Sequence, residues 1–456
     1  MTFPFVQQLD YQPDSALRFA ALLQCAWPVF LDSGQPQIKQ GRYDILSADP
    51  LTTLVTYGRN TRIRSARGEQ ISTADPLALL GETLGVKRTN TTGLPFIGGA
   101  IGYFGYDLAR RWRHLPSWAQ DVENIPDLAV GVYDWALVVD HQTQSAQLVG
   151  ANPARLRHYA ERFAGAVTAV NPQHSMRYRV REPVRVNMTR AEYLTAIARI
   201  QRYLIAGDCY QVNLARRFAV VADGDPWNAY QRLRVLNPAP FSAYFAPPEC
   251  QVLCSSPERF LQVRDGMVET QPIKGTCLRS SDALTDQQLA EMLQRSPKDR
   301  AENLMIVDLL RNDLGQVCTP GTIAVPRLFA IESYARVHHL VSTIIGQLAM
   351  EYTAIDLLRA CFPGGSVTGA PKQRAMEIIE ELEPQRRGVY CGAIGYLGCD
   401  GAMDMNIAIR TLIHADGVTR FWAGGGIVAD SDPAAEYQET ADKAAALLEM
   451  LEQMRA

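Results

Sequence analysis

Lys274 stands between Ile273 and Gly275 in the stretch "TQPIKGT" (270–276), beside an apolar residue and one that lets something approach the backbone closely. A strand-end lysine on such a pattern ordinarily carries its ammonium out to solvent. Further along, Glu302 shares a helical face with Met305, Ile306 and Leu309. A carboxylate there is costly unless it is paired or bound to a cation, or unless it reaches water from the helix edge. Glu436, Glu439 and Lys443 follow one stripe that continues as Leu447, Met450, Leu451 and Met454. The 439/443 spacing also suits an exposed ion pair, although such a pair would not ordinarily share its face with an apolar seam. Two helices that aim carboxylates at an interior suit Mg²⁺, which takes one or two carboxylates, waters and an anionic substrate. No His/Cys cluster supports zinc, and His338 and His339 should point apart on a strand. For the anion itself, Gly424, Gly425 and Gly426 in "FWAGGGIVADS" are expected after a strand with free N–H groups. Arg410, at the end of the apolar run "NIAIRTL", offers a fork for a carboxylate. Together these residues describe a site for Mg²⁺ and a small dianion.

These groups need elements to hold them. "CSSPERFLQVR" and "MVETQPIKGT" flank Asp265-Gly266, a strong hairpin signal. Thr189 and Glu192 form a capping box for a helix whose face is Tyr193, Ile197, Ile200 and Leu204, stopping at Gly207. Ser296 caps a second helix, with Pro297 at N1, that should run to about Leu310. Asp432 and Pro433 open a third that nearly reaches the C-terminus. Strands and helices mix without βαβ alternation, which favours α+β over a doubly wound sheet. Gly99, Gly102 and Gly105 recur every three residues, a spacing that fits no phosphate loop and reads as close backbone packing. The Arg- and Pro-containing segment 171–188 marks a boundary, giving regions 1–170 and 185–450.

With 456 residues, 47% hydrophobic and a net charge of -3, the chain has ample core and no basic surface for nucleic acid. Nine scattered cysteines without a C-x-x-C pair suggest reduced thiols, and no stretch reads as a signal peptide or membrane span. A cytoplasmic protein is expected.

In order and spacing, the chain resembles the chorismate-utilising enzymes, the large subunits of anthranilate synthase and aminodeoxychorismate synthase. The stretches that carry this are "GDCYQVNLARRF" (207–218), "SSPERF" (255–260), "PIKGT" (272–276), "KDRAENLMIVDLLRNDLG" (298–315), "HHLVST" (338–343), "FPGGSVTGAPK" (362–372), "GAIGY" (392–396), "IRT" (409–411) and "GGGIVADSDPAAEYQETADK" (424–443). The resemblance implies a large α/β sandwich of packed antiparallel sheets with helices outside, and a requirement for Mg²⁺. By position it makes Glu302 and Glu439 metal ligands, with Glu436 beside them. Arg410 and Lys443 would hold the substrate carboxylates, helped by backbone at Gly275 and Gly424 to Gly426. His339 would reach the C4 hydroxyl, and Glu258 would be the general acid.

Two positions discriminate within the family. Isochorismate and salicylate synthases carry a water-activating lysine where this chain has Gln211, which cannot take a proton. Anthranilate synthases usually read "PIAGT", whereas this chain reads "PIKGT", as aminodeoxychorismate synthases do. The resemblance therefore makes Lys274 a nucleophile that attacks chorismate at C2 before ammonia adds at C4. Its amine must be neutral to attack, against a free pKa of about 10.4, so the site is expected to lower that value and to share one proton between Lys274 and Glu258. A bulge at Gly266 would set Glu258 directly across from Lys274. The alternatives are an anthranilate synthase and a non-catalytic chorismate-binding subunit. No amidotransferase nucleophile elbow is present, so a separate glutaminase subunit is expected to deliver ammonia. Finally, "NPAPFSAYF" (237–245), with Pro238 and Phe241, resembles the tryptophan-binding segment of anthranilate synthase. Ser33, Tyr43 and Asp44 could complete a regulatory pocket, the alternative being ordinary packing between sheets.

Overall fold

The computed structural model describes residues 4–38, 41–168, 177–334 and 337–455. Part of the expected boundary segment, 171–176, lies outside them. The capping signals resolve as helices: Arg190–Ala206 with Thr189 and Glu192 in a reciprocal box, Pro297–Leu314 behind Ser296, and Pro433–Gln453 behind Asp432. The second of these extends one turn beyond the expected end. Each proline occupies the first turn, where its missing N–H costs no helical bond.

Two antiparallel sheets, 13- and 12-stranded among the described residues, face each other. Val29, Ile45, Phe245, Val252 and Ile413 of the first sheet and Val55, Ile101, Tyr103, Ala129 and Ile394 of the second form the core between them. Helices cover the outer faces: Pro226–Leu236 and Pro433–Gln453 on the first, Pro76–Leu84, Pro297–Leu314 and Ala354–Cys361 on the second. This is the α+β sandwich expected. Both sheets draw strands from both sides of residues 171–188: Val29–Asp32 pairs with Phe241–Phe245, and Gly99–Phe104 with Ala393–Gly398. Gly102 belongs to that second pairing, where a Cβ would lie 2.1 Å from the Ala129 carbonyl oxygen, so tight backbone packing accounts for it.

Twice near the site the chain leaves one sheet for the other. Gln251–Ser256 lies in the first sheet and Arg259–Arg264 in the second; Met403–Ile407 lies in the second and Thr411–Ala415 in the first. Glu258 is on the first crossover and Arg410 on the second. The crossovers are stitched together: Ile407 N–H donates to the Glu258 carbonyl (3.0 Å), Ser255 N–H to the Arg410 carbonyl (3.1 Å), and Ser256 Oγ to the Ile407 carbonyl (2.6 Å).

The Asp265-Gly266 hairpin has both residues at positive φ and a tight two-residue turn, with Arg264 opposite Met267. No bulge occurs at Gly266. The extra residue lies instead in the opposite strand, where Phe260 and Leu261 together face Thr270, so that Arg259 pairs with Gln271. That shift carries Glu258 toward Pro272 rather than Lys274. The expected second strand is also divided, into Met267–Gln271 and Ile273–Leu278 around Pro272. A second bulge follows: Ile273 pairs with Val341 and Thr276 with His339, leaving Lys274 and Gly275 opposite Leu340. Gly275 has φ +83°, which a side chain would strain. Bulges re-aim side chains, and this one sets the direction of Lys274.

Candidate active site

Lys274 is held inside the protein, its side chain only 11% exposed, and Nζ lies 2.9 Å from Glu302 Oε1. Burial alone would push this ammonium down. The charge and hydrogen bond of Glu302, with Glu258 and Glu439 behind it, reverse that and hold it above the ordinary lysine value. The expected lowering is therefore not seen, and the direct partner of Lys274 is Glu302 rather than Glu258. Glu302 responds in kind: burial would raise its carboxyl, but Lys274, Lys443 and Lys298 keep it below the usual glutamate value. It also accepts from Gln211 Nε2 at 2.9 Å, while Gln211 Oε1 is buried without a partner.

Glu302 occupies the flank of its helix. The buried stripe is Asn303, Ile306, Val307 and Leu310, and the flank position lets the carboxylate reach the site while the stem packs. On Pro433–Gln453 the buried stripe takes in Glu436, Thr440, Ala444 and Leu447, with Glu439 and Lys443 beside it. Lys443 Nζ meets Glu439 Oε1 at 2.5 Å, the ion pair anticipated from their spacing, and also donates to the Gly424 carbonyl at 3.0 Å. Glu436 Oε1 accepts from Ser431 Oγ (2.7 Å) and lies 3.8 Å from Lys298 Nζ. Glu436 Oε2 is buried with no partner, and burial raises this carboxyl.

Gly424, Gly425 and Gly426 are not a turn after a strand. They lie within the strand Val418–Ile427 and pair with Ala215, Leu214 and Asn213. The neighbouring strand Thr411–Ala415 reaches only as far as Phe421, so beyond it one edge of the glycine strand has no strand partner among the described residues. Their lack of side chains is required. A Cβ on Gly425 would lie 3.3 Å from Glu436 Oε2 and 3.4 Å from Glu439 Oε1, and one on Gly426 would lie 2.9 Å from Glu302 Oε1 and overlap the Gln211 amide.

Three glutamates thus converge on two bare glycines, each beside a lysine. Among the described residues no three acidic, histidine or cysteine groups are close enough to form a ready-made metal cluster. Hard oxygen donors gathered over Gly425 and Gly426, with an orphaned carboxylate oxygen on Glu436, nevertheless fit an oxygen-loving divalent ion.

Arg410 sits at φ +52°, in the left-handed region, a strained backbone for a bulky residue. Among the described residues its guanidinium has no hydrogen bond or ion pair, although burial already pushes it below the ordinary arginine value. A half-buried fork-shaped cation without such a partner is equipped for an anion. His339 Nδ1 bonds Thr276 Oγ1 at 2.8 Å; burial, Arg410 and His338 lower it to about 4, so it is neutral at physiological pH. His338 turns the other way, to Asp286 and Ser333. Glu258 is buried, and burial raises its carboxyl against the lowering effects of Ser366, Lys274 and the Ile273 N–H. Ser366 Oγ donates to Glu258 Oε1 at 2.7 Å.

Lys274, Glu258, Glu302, Glu436, Glu439, Lys443, Gln211 and Gly424 to Gly426 come together, with His339 and Arg410 adjoining. Lys298 was not singled out, although its spacing from Glu302 on one helix was a visible signal. Ser366 has no signal in sequence beyond its place in "FPGGSVTGAPK".

A separate cavity of about 670 Å³ lies between the sheets. Ser33, Tyr43 and Phe241 line it, whereas Asp44 and Pro238 do not. Asp44 is committed to Ser33 N–H and Oγ (2.8 and 2.7 Å) and to His141 Nε2 (2.7 Å), so it shapes the wall from behind. Ile273 and Val341, which pair beside Lys274, are part of the lining.

All nine cysteines are free, and among the described residues no helix is long and apolar enough to cross a membrane. A family model described as chorismate binding enzyme matches residues 31–449. Aminodeoxychorismate synthase component 1 of Klebsiella aerogenes is 48% identical, over 99% of this chain and 100% of that protein. The protein of that name from Escherichia coli (strain K12) is 46% identical, over 98% and 99%. The crystal structure of anthranilate synthase component I from Streptococcus pneumoniae TIGR4 aligns with a TM-score of 0.79 at 32% identity, covering 90% of this chain and 93% of that one.

Proposed function

The chain belongs to the chorismate-binding enzymes, and from that premise we propose that it exchanges the C4 hydroxyl of chorismate for ammonia, giving 4-amino-4-deoxychorismate. The observation that carries this reading is Lys274, a buried amine turned by a glycine bulge into a cluster of carboxylates. Lys274 gives a proton to the Glu258 carboxylate, and its neutral amine forms a bond to C2. Both ring double bonds shift one position toward C4, the C4–O bond breaks, and Glu258 delivers the proton so that water departs. Ammonia then adds at C4, both double bonds shift back, the C2–N bond to Lys274 breaks, and the departing lysine amine takes up the proton that the new ammonium releases. Arg410 and Lys443 hold the substrate carboxylates, and neutral His339 bonds the C4 hydroxyl. Gln211 has no basic nitrogen, so it does not prepare water to compete with ammonia.

Charge supports a role for Mg²⁺. Three lysines offset Glu302, Glu436 and Glu439, and Arg410 offsets the Glu258 carboxylate, so the side chains leave no net positive charge for a dianionic substrate. Held by Glu302 and Glu439 with Glu436 beside them, Mg²⁺ would supply positive charge against the substrate carboxylates. In the cell a glutaminase subunit supplies ammonia in this reading. The product, after loss of its side chain, is 4-aminobenzoate for folate synthesis.

The test incubates purified protein with chorismate, Mg²⁺ and ammonium. The 4-amino product is expected, with no turnover when glutamine replaces ammonium and strong loss on chelation. Anthranilate would support the rival synthase reading, and absence of turnover the non-catalytic one. We further read the cavity between the sheets as a site for tryptophan, since its volume suits a drug-sized ligand. Millimolar tryptophan should raise the thermal midpoint, and no shift would count against it.

A further inference from the structure

We infer that Ser366 is the positioning residue of the general acid: its hydroxyl fixes the Glu258 carboxyl, leaving Oε2 as the oxygen that carries and delivers the proton. This rests on the role of Glu258 proposed above.

The geometry is specific. Ser366 Oγ donates to Glu258 Oε1 at 2.7 Å, and both residues are buried. A hydroxyl has one proton to give, so the bond holds Oε1 as the acceptor and assigns the transferable proton to the other oxygen. Ser366 is itself tightly placed. A Cβ on Gly364 would lie 2.5 Å from Ile407 Cδ1, and one on Gly365 2.6 Å from Leu309 Cδ2, so this turn is clamped between a strand and a helix. Arg387 Nη1 donates to the Val367 carbonyl (2.8 Å) and Asn213 N–H to the Thr368 carbonyl (2.8 Å). The acid's orientation is thereby set by a rigid segment remote in sequence.

The bond also tunes the acid. When Glu258 releases its proton as the C4–O bond breaks, the new carboxylate accepts a charge-assisted bond from a hydroxyl already in place. Ser366 is the largest of the effects opposing the upward push of burial on Glu258. The other charged or titratable groups facing Glu258 are Lys274 and Lys443, with Cys391 nearby, whose own thiol is pushed up to about 12 by burial and remains protonated.

The experiment measures kcat/KM for chorismate against pH, at fixed total ammonium, for wild type, Ser366→Ala, Ser366→Thr and Ser366→Cys. Ammonia's own titration is common to all four proteins, so variant-to-wild-type ratios isolate the acid. Ser366→Ala should fall about tenfold below wild type at the low end. Without the hydroxyl the Glu258 pKa rises further and the acid stays protonated to higher pH, so the ratio should climb toward one as pH increases. Ser366→Thr should restore activity to within about twofold, and near-isosteric Ser366→Cys, a weak donor, should lie between. In a Glu258→Gln background Ser366→Ala should cost nothing more. A ratio that is flat with pH, or a threonine variant as impaired as alanine, would overturn the assignment; the cysteine variant gives the same decision should alanine not fold. Wild type lacking the 4-amino product would remove the underlying reading, whereas an active wild type with a flat ratio removes Ser366 alone.

Discussion

Lys274→Ala should lower formation of 4-amino-4-deoxychorismate by at least about three orders of magnitude, since loss of a nucleophile costs up to about 10⁶-fold while the rest of a site keeps a residual acceleration of about 10³–10⁴. Chorismate and Mg²⁺ without ammonia should leave wild type with a secondary-amine adduct on the peptide containing Lys274, seen by mass spectrometry without borohydride. The alanine variant should show none. Alanine also opens C2 to ammonia directly, so residual activity should shift toward 2-amino-2-deoxyisochorismate. Lys274→Arg should be no better, because guanidinium stays protonated. The fold should survive, since Lys443 and Lys298 also face Glu302. A near wild-type rate in the alanine variant would leave Lys274 as an electrostatic contributor at most.

Glu258→Gln should cost about 10²–10⁴-fold in kcat, the usual range for removal of a general acid. It should also suppress the Lys274 adduct, because attack and departure of the hydroxyl are one event. Substrate affinity should change little, since the carboxylates are held elsewhere. Stability should move the other way. Burial holds the folded Glu258 carboxyl above its ordinary value, so the folded chain binds this proton more tightly than the unfolded chain. That preference costs stability as pH rises from the ordinary carboxylate range through the raised folded value. Glutamine has no such cost, so its thermal midpoint at pH 8 should equal or exceed that of wild type. A fully active variant, or one destabilised at pH 8, would contradict this reading of Glu258.

Local chemistry explains how much of this was legible in sequence. Thr189, Ser296 and Asp432 begin their helices because capping depends on a few neighbouring residues. Glu302 and Glu436 were visible as carboxylates near apolar stripes for the same reason. What sequence could not give was register. The bulges at Phe260–Leu261 and Lys274–Gly275 depend on how strands distant in sequence pack, and they exchanged the expected partner of Lys274 for Glu302. Gly424 to Gly426 look like a turn by composition, yet they pair as strand, and at Gly425 and Gly426 carboxylates from two helices occupy the space where side chains would go. Ser366 reaches Glu258 from more than a hundred positions away, a juxtaposition no local pattern encodes.

Interleaving of early and late strands has a consequence for how the molecule comes into being. Val29–Asp32 waits for Phe241–Phe245, and Gly99–Phe104 for Ala393–Gly398. On the ribosome, Val29–Asp32 must therefore keep one bare hydrogen-bonding edge until about half of the polypeptide has emerged, and Gly99–Phe104 until almost all of it has. Such a topology folds slowly, through half-built intermediates whose strand edges are unpaired. During synthesis these edges are templates for wrong partners, so the yield of active protein should depend on translation speed and chaperone supply well before it depends on any residue of the catalytic cluster.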